Sequence, residues 1–261
     1  MTLSDPDAPH LLREQRGQTL WLTIAREERR NALSPAVVEG LTQAIAAAQH
    51  ERSVRAIVIT GAGHKAFCAG ADLQSGKAFQ FDYSQPSQAF ANLLRQARAS
   101  HVPLVARVNG ACLAGGMGLL AMCDLAVATS GATFGLPEVK IGVFPAQVLA
   151  VLQGLIGKRA LTELCIGGAT IGADEALRIG LVNRVADDLD GALQALLERV
   201  QGNSPAAIRR GLYLLKHIDT MDFEASMAFC ESQIGLFALT DDAREGQAAF
   251  REKRAPNWSG S

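Results

Sequence analysis

Little in this sequence announces chemistry. In GACLAGGMGLLAMCD, residues 110–124, only the Cys112 thiol can ionise between Gly110 and Met122. The cysteines (Cys68, Cys112, Cys123, Cys165, Cys230) are odd in number and never in C-x-x-C spacing. That excludes a disulfide frame or a cysteine zinc site and predicts reduced, mostly buried thiols. No G-K-[ST] follows a P-loop glycine, no H-E-x-x-H or G-x-S-x-G occurs, and the five histidines stand apart from one another. No apolar run approaches the length that spans a bilayer, and MTLSDPDAPH lacks the basic-then-apolar pattern of a secretory signal, so a cytoplasmic protein is expected. Net charge is −1, which offers no global field to nucleic acid or anionic membrane, so a polyanionic ligand would need a local cluster of Lys and Arg.

What is present is a foldable pattern. Apolar residues make up 48% of 261, enough for a substantial core without staples. HLLREQRG and TLWLTIA alternate apolar and polar around Gly17 and predict a hairpin. SPAVVEGLTQAIAAAQH opens with Ser34 as N-cap and Pro35 at the first helical position, and Val38, Leu41 and Ile45 share one face. RAIVIT, PLVARV and DLAVAT are buried strands, each followed by small residues and then helical or irregular chain, an alternation that predicts an α/β core. From Asp187 the strand signals stop. SPAAIRRGLYLLKHI repeats the Ser-Pro start and two further amphipathic stretches run to Lys253, so residues 1–200 are expected to form the core and 201–261 a helical C-terminal region. FQFDYSQPSQAF, residues 79–90, has no clear period and is read either as a plain connection or as a lid.

Several glycine turns compete for a function. Gly61, Gly63 and Ala66 of ITGAGHKA formally fit a dinucleotide fingerprint, but the expected helix and acid do not follow, which leaves a tight loop. FCAGADL (67–73) and LAGGMG (113–118) each follow a strand, so one backbone N–H from each turn can share a single anionic oxygen, as in an oxyanion hole. Close packing of helix on sheet would explain the same glycines equally well.

Five stretches in order, RNAL (30–33), AFCAGADL (66–73), NGACLAGGMGLLAMCDLAVA (109–128), ATFGLPEVKIG (132–142) and DDAREGQAAFREKRAPNW (241–258), give the chain a resemblance to the crotonase, or enoyl-CoA hydratase/isomerase, superfamily. The resemblance implies a spiral of ββα turns, a helical C-terminal region that builds homotrimers or hexamers, and an acyl-CoA thioester substrate. It places the oxyanion pair on the N–H groups of Ala71 and Gly115 and the acid/base on Glu138. It places contacts to CoA on Lys65, Ala69, Asp72, Leu73, Phe250 and Lys253, and more loosely on Arg29 and Arg30. Coenzyme A would be part of the substrate; no metal, redox cofactor, nucleic acid or membrane is implied.

Two-glutamate hydratases of that superfamily carry their first acid where this chain has Gly118, and the second corresponds to Glu138, so one acid remains. Phe134, Val139, Ile141 and Phe144 are expected to surround Glu138 and raise its pKa. One base is all that double-bond migration requires, which favours an isomerase. The GGMGLLAMCD and PEVKIGVFPAQVL segments are similar to a bacterial hydratase branch acting on methylglutaconyl-type, branched or carboxylated enoyl-CoAs, and tip the expectation to hydratase. A catalytically silent CoA-binding subunit is the rival outside enzymes. The chain departs from the superfamily pattern at Glu27, where proline is common, at Ala114, where a third glycine is usual, and at PAQVLAV, where Gln147 either enters the pocket or starts a helix.

Overall fold

Strand pairing organises the chain as a two-layered spiral. The computed structural model describes residues 9–72, 84 and 86–261. β1 (Leu11–Arg16) and β2 (Thr19–Ile24) form the expected antiparallel hairpin, with Gly17 at φ +57° in its turn. α1 (Pro35–Ala48) follows, capped by the Ser34 side chain, which accepts from the Val37 N–H at 3.3 Å. From β3 to β8 successive strands then alternate between two sheets. β3 (Ala56–Gly61), β5 (Leu104–Val108), β7 (Leu125–Thr129) and β10 (Arg184–Ala186) extend the hairpin into a six-stranded sheet of order β1-β2-β3-β5-β7-β10. β4 (Ala66–Cys68), β6 (Ala111–Leu113), β8 (Thr133–Gly135) and β9 (Thr170–Gly172) make a four-stranded sheet in that order.

Helices close the turns of the spiral: α2 (Ala89–Ala99), α3 (Gly115–Ala121), α4 (Ala146–Leu152), α5 (Lys158–Gly167) and α6 (Ala173–Arg178). The central strands are parallel and buried on both sides, which is why they read as continuous apolar runs. Ile57, Ile59, Leu104, Ala106 and Val108 face the large core with Phe67, Phe134 and Met117. Ala56, Val58, Val105 and Val127 point the other way, against Leu189, Leu193, Leu196 and Leu197 of α7 (Leu189–Gln201).

Three helices complete the chain: α8 (Pro205–Ile218), α9 (Phe223–Ala238) and α10 (Asp241–Glu252). α8 is tied to the core by Lys216, which pairs with Asp124 at 2.9 Å and donates to the Ser100 carbonyl at 2.9 Å. The sequence predicts amphipathic helices here, but α9 differs. Its apolar residues spread over more than one side and none is buried, leaving Phe223 73% and Ile234 68% exposed. No helix among the described residues is long and apolar enough to cross a membrane.

Candidate active site

The first glycine turn is held by a network that the sequence alone did not reveal. Leu33 donates its N–H to the Gly70 carbonyl (2.8 Å) and accepts at its own carbonyl from the Asp72 N–H (3.2 Å). This is a single parallel bridge between Leu33 and Ala71, and in it the Ala71 N–H faces away from Leu33. Gly70 takes φ +92°, a conformation suited to glycine. Beside it the Arg26 guanidinium pairs with Asp72 at 2.7 Å, both side chains nearly buried, and its second arm donates to the Ala32 carbonyl at 2.7 Å.

Two buried asparagines fix the backbone around this pair. Asn31 donates to the carbonyls of Ala66 (2.7 Å) and Ala62 (3.0 Å) and accepts from the Arg26 N–H (3.1 Å). Asn109 donates to the carbonyls of Gly63 (2.8 Å) and Gly61 (2.9 Å) and accepts from the Gly61 N–H (3.2 Å). The ITGAGHKA segment is therefore a tight loop stitched by side-chain amides, as read from the sequence. Arg26, Asn31 and Asn109 were not singled out there. The signal was a polar residue at the edge of an apolar or glycine-rich motif, where a buried amide can serve otherwise unpaired backbone groups.

The second turn lies against the first. Ala114 adopts φ +50°, ψ −122° and donates its N–H to the Gly135 carbonyl at 2.9 Å, after which α3 begins at Gly115. A Cβ placed on Gly115 would sit 3.6 Å from Gly70 Cα and 3.7 Å from the Ala71 nitrogen, a measure of how closely the two backbones approach. Among the described residues neither the Ala71 nor the Gly115 N–H donates to another group. Gly115 is one of the orphan donors that every helix start leaves, and Ala71 is orphaned by the bridge geometry. Two free N–H groups on facing turns can bind one anionic oxygen.

Glu138 lies three residues after Gly135, the end of β8, whose carbonyl accepts from the Ala114 N–H of the second turn. It lies in a tight helical turn, Pro137–Ile141, that ends at Gly142 in left-handed conformation. One carboxylate oxygen, Oε2, is buried with no hydrogen-bond partner. Burial raises the Glu138 pKa above the ordinary carboxylate value, opposed in part by its own backbone N–H, and the charge on Glu138 adds to the burial that raises the Cys165 thiol. The expected direction is thus observed, but its surroundings are corrected in part. Phe134 is fully buried and Val139 half-buried, whereas Ile141 (56% exposed) and Phe144 (50%) turn outward.

Position 118, one turn along α3 from Gly115, is filled from outside. A Cβ there would lie 2.9 Å from Phe90 Cζ and 3.3 Å from Val148 Cγ2. Gln147 sits in the first turn of α4, which begins just after Pro145, and donates its amide to Gln88.

The remaining residues fall into three groups. Ala69 donates its N–H to the Arg30 carbonyl at 3.1 Å, and the exposed Lys65, Arg29 and Arg30 rim this side of the turn. Asp72 is engaged by Arg26, and Leu73 and half of 79–90 (79–83 and 85) lie outside the described residues. Phe250 (86% exposed) and Lys253 belong to the α10 end, which packs on α8 and α9, so they stand apart from the turns within one chain. Cys112 is fully buried, with its thiol pushed up by that burial, and serves packing rather than nucleophilic attack.

Known proteins resemble this chain over most of its length. The family model described as enoyl-CoA hydratase/isomerase matches residues 14–261. The chain is 30% identical over 249 residues to a short-chain-enoyl-CoA hydratase of Clostridium acetobutylicum, covering 94% of this chain and 95% of that protein. It is 34% identical over 256 residues to a 2,3-dehydroadipyl-CoA hydratase of Escherichia coli, covering 95% and 97%. The crystal structure of an enoyl-CoA hydratase of Mycobacterium smegmatis superposes with a TM-score of 0.88 at 32% identity, over 96% of this chain and 99% of that one.

Proposed function

Because the chain belongs to the enoyl-CoA hydratase/isomerase family, we propose that it hydrates the 2,3-double bond of an enoyl-CoA thioester, with Glu138 as the single acid/base and the Ala71 and Gly115 N–H groups as the oxyanion hole. The observation that supports this reading is the pair of undonated N–H groups on two closely approaching turns, with a buried, unpartnered carboxylate oxygen at Glu138 in the segment that follows β8.

The chemistry follows from that set. Glu138 takes a proton from water as the hydroxide oxygen bonds to C3. The C2–C3 π electrons move toward the thioester, whose oxygen becomes an enolate held by the two N–H groups. Glu138 then returns the proton to C2 from the same face, so one carboxylate closes the cycle. A raised pKa suits a group that must both accept and release a proton near neutrality. Nothing is oxidised or reduced, so the reaction calls for no cofactor beyond the CoA carried by the substrate. Lys65 and Arg29 are suited to the CoA phosphates, and Ala69, Asp72 and Leu73 are proposed as further contacts to the substrate. The acyl group is of the branched or glutaconyl type.

The exposed apolar surface of α9 supports a division into a core, residues 1–200, and a C-terminal assembly region, 201–261, that builds a trimer or a pair of trimers in the cytoplasm. In such an assembly Phe250 and Lys253 would serve the CoA of a neighbouring subunit.

A second reading is favoured by one observation: apolar groups fill the space beside Gly118, which leaves one acid, and one acid is all a 3,2-enoyl-CoA isomerase needs. Product mass spectrometry on 2-enoyl-, 3-enoyl- and 3-methylglutaconyl-CoA, in ordinary and deuterated water beside Glu138→Gln, separates the readings. Glu138-dependent gain of one water supports the hydratase; double-bond migration with deuterium exchange and no added water supports the isomerase. CoA binding without turnover of any substrate leaves a non-catalytic subunit. Glu138→Gln should lower turnover roughly 10²–10⁴-fold.

A further inference from the structure

We propose that Phe90, seated over Gly118 and latched in place by Gln88 and Gln147, is a specificity-determining wall that restricts the acyl group to short, apolar chains, compact branched ones included. The inference rests on the hydratase reading above and adds to it the shape of the acyl group.

Gly118 stands three residues after Gly115, so the two lie on the same face of α3, one turn apart. The resemblance puts the first acid of two-glutamate hydratases at position 118, so on the hydratase reading that position faces the reacting acyl carbons. The three atoms nearest to a Cβ at that position are all carbon: Phe90 Cζ at 2.9 Å, Phe90 Cε1 at 3.3 Å and Val148 Cγ2 at 3.3 Å. Separations this short leave no volume beside Gly118 while the ring is in place, and a carboxylate introduced there would be pressed against an aromatic face at a desolvation cost. Phe90 thus occupies the seat of a second acid and bounds the acyl space at the same point.

The ring is half-buried in the first turn of α2, whereas Val148 is buried in α4. Gln88, the residue preceding α2, accepts a hydrogen bond from Gln147, the residue preceding Val148. The two wall residues are thereby tied to one another through their chain neighbours. This gives Gln147 a role: it holds the wall, and it does so by contacting protein rather than substrate. The wall atoms carry no charge, so of the branched and carboxylated acyl groups it favours the branched.

The test uses the whole chain and three probes: crotonyl-CoA, 3-methylcrotonyl-CoA and trans-2-decenoyl-CoA. The readout is kcat/KM for hydration by wild type, Phe90→Ala, Phe90→Leu and Gln147→Ala, with Glu138→Gln as the control. Wild type should favour the short probes, and Phe90→Ala should shift the decenoyl-to-crotonyl ratio at least about tenfold toward decenoyl, the scale of a few methylene contacts. Gln147→Ala should shift it in the same direction by less. Gly118→Ala should depress kcat/KM in the wild-type background and do so much less beside Phe90→Ala, because the added methyl meets the ring. Phe90→Leu supplies the same ratio if the alanine variant does not fold. A ratio unchanged by either Phe90 variant, in a protein that still hydrates crotonyl-CoA with dependence on Glu138, overturns the wall and leaves the hydratase reading standing. Absence of Glu138-dependent hydration of all three probes overturns both.

Discussion

Replacing Arg26 by alanine tests whether the oxyanion turn is held from behind. The guanidinium makes two short bonds, to Asp72 and to the Ala32 carbonyl, each 2.7 Å, and its side chain is 9% exposed. Removing one partner of a buried ion pair costs about 3–5 kcal/mol, because the remaining charge keeps its desolvation penalty. In a domain of this size each kcal/mol moves the unfolding midpoint by roughly 2–4 °C, so the variant should lose about 6–20 °C. Asp72 directly follows Ala71, so the same change loosens one donor of the oxyanion pair. The full loss of such a donor is worth about 10²–10³ in kcat, and a partial loss is expected here. KM for the CoA thioester should move less, since Arg26 is buried and is not among the exposed residues that rim the turn. Arg26→Lys keeps the charge but cannot serve the carboxylate and the carbonyl together, so it should fall between the two. Thermal unfolding by circular dichroism, alongside steady-state hydration, decides the matter. An alanine variant with unchanged midpoint and unchanged kcat would show that the Leu33 bridge and Asn31 suffice, and would refute this account.

Four further outcomes follow from the structure. Activity requires ionised Glu138, so the acid limb of the kcat/KM profile should lie above the ordinary carboxylate value of about 4.3. Because its pKa is raised in the folded state, the charged form opposes folding at neutral pH. Glu138→Gln should therefore raise the unfolding midpoint there, and the gain should shrink as pH falls through the raised pKa, as scanning calorimetry across pH would show. Ala114 holds φ +50°, ψ −122°, where strain of about 1–3 kcal/mol is partly offset by the flexibility glycine gives the unfolded chain, so Ala114→Gly should stabilise by roughly 1 kcal/mol in urea denaturation. Burial raises the Asp242 carboxyl, but the Ser204 hydroxyl and the N–H groups of Gly260, Ala206 and Ser259 outweigh it and hold the pKa below the usual range. That stability is present above the unfolded carboxylate pKa and lost as pH falls through the lowered value. Asp242→Asn should therefore lose about 2–4 kcal/mol at neutral pH, with the difference closing in acid.

What the sequence made legible was local. The Gly17 hairpin, the Ser34-Pro35 and Ser204-Pro205 helix starts and the buried strands β3, β5 and β7 are written in neighbouring residues, and each appears where expected. The alternation of strands between two sheets was not legible from spacing, because β3 pairs with β5 and β4 with β6 across intervening chain; it came through the resemblance. Exposure within the Glu138 turn was also hidden. Ile141 and Phe144 are apolar, yet each is half exposed or more, and composition alone does not show which apolar residues of a surface turn are covered.

The support of the site was hidden for a further reason: its partners are far apart in the chain. Arg26 and Asp72 are separated by 46 residues, and Arg26 alone reads as one more surface charge in AREERRNAL. Phe90 is harder still. At position 118 the sequence shows only a glycine, and nothing near it in the chain says what lies beside it. The space is filled by Phe90 from another helix. In a close-packed interior a glycine and the side chain that occupies its space form one packing unit, with the two halves recorded at distant positions. Gly118 is therefore informative only together with Phe90. An acid placed there alone, as Gly118→Glu, should damage the protein, whereas the same change beside Phe90→Ala has room to fold, a contrast that soluble yield and thermal midpoint would register directly.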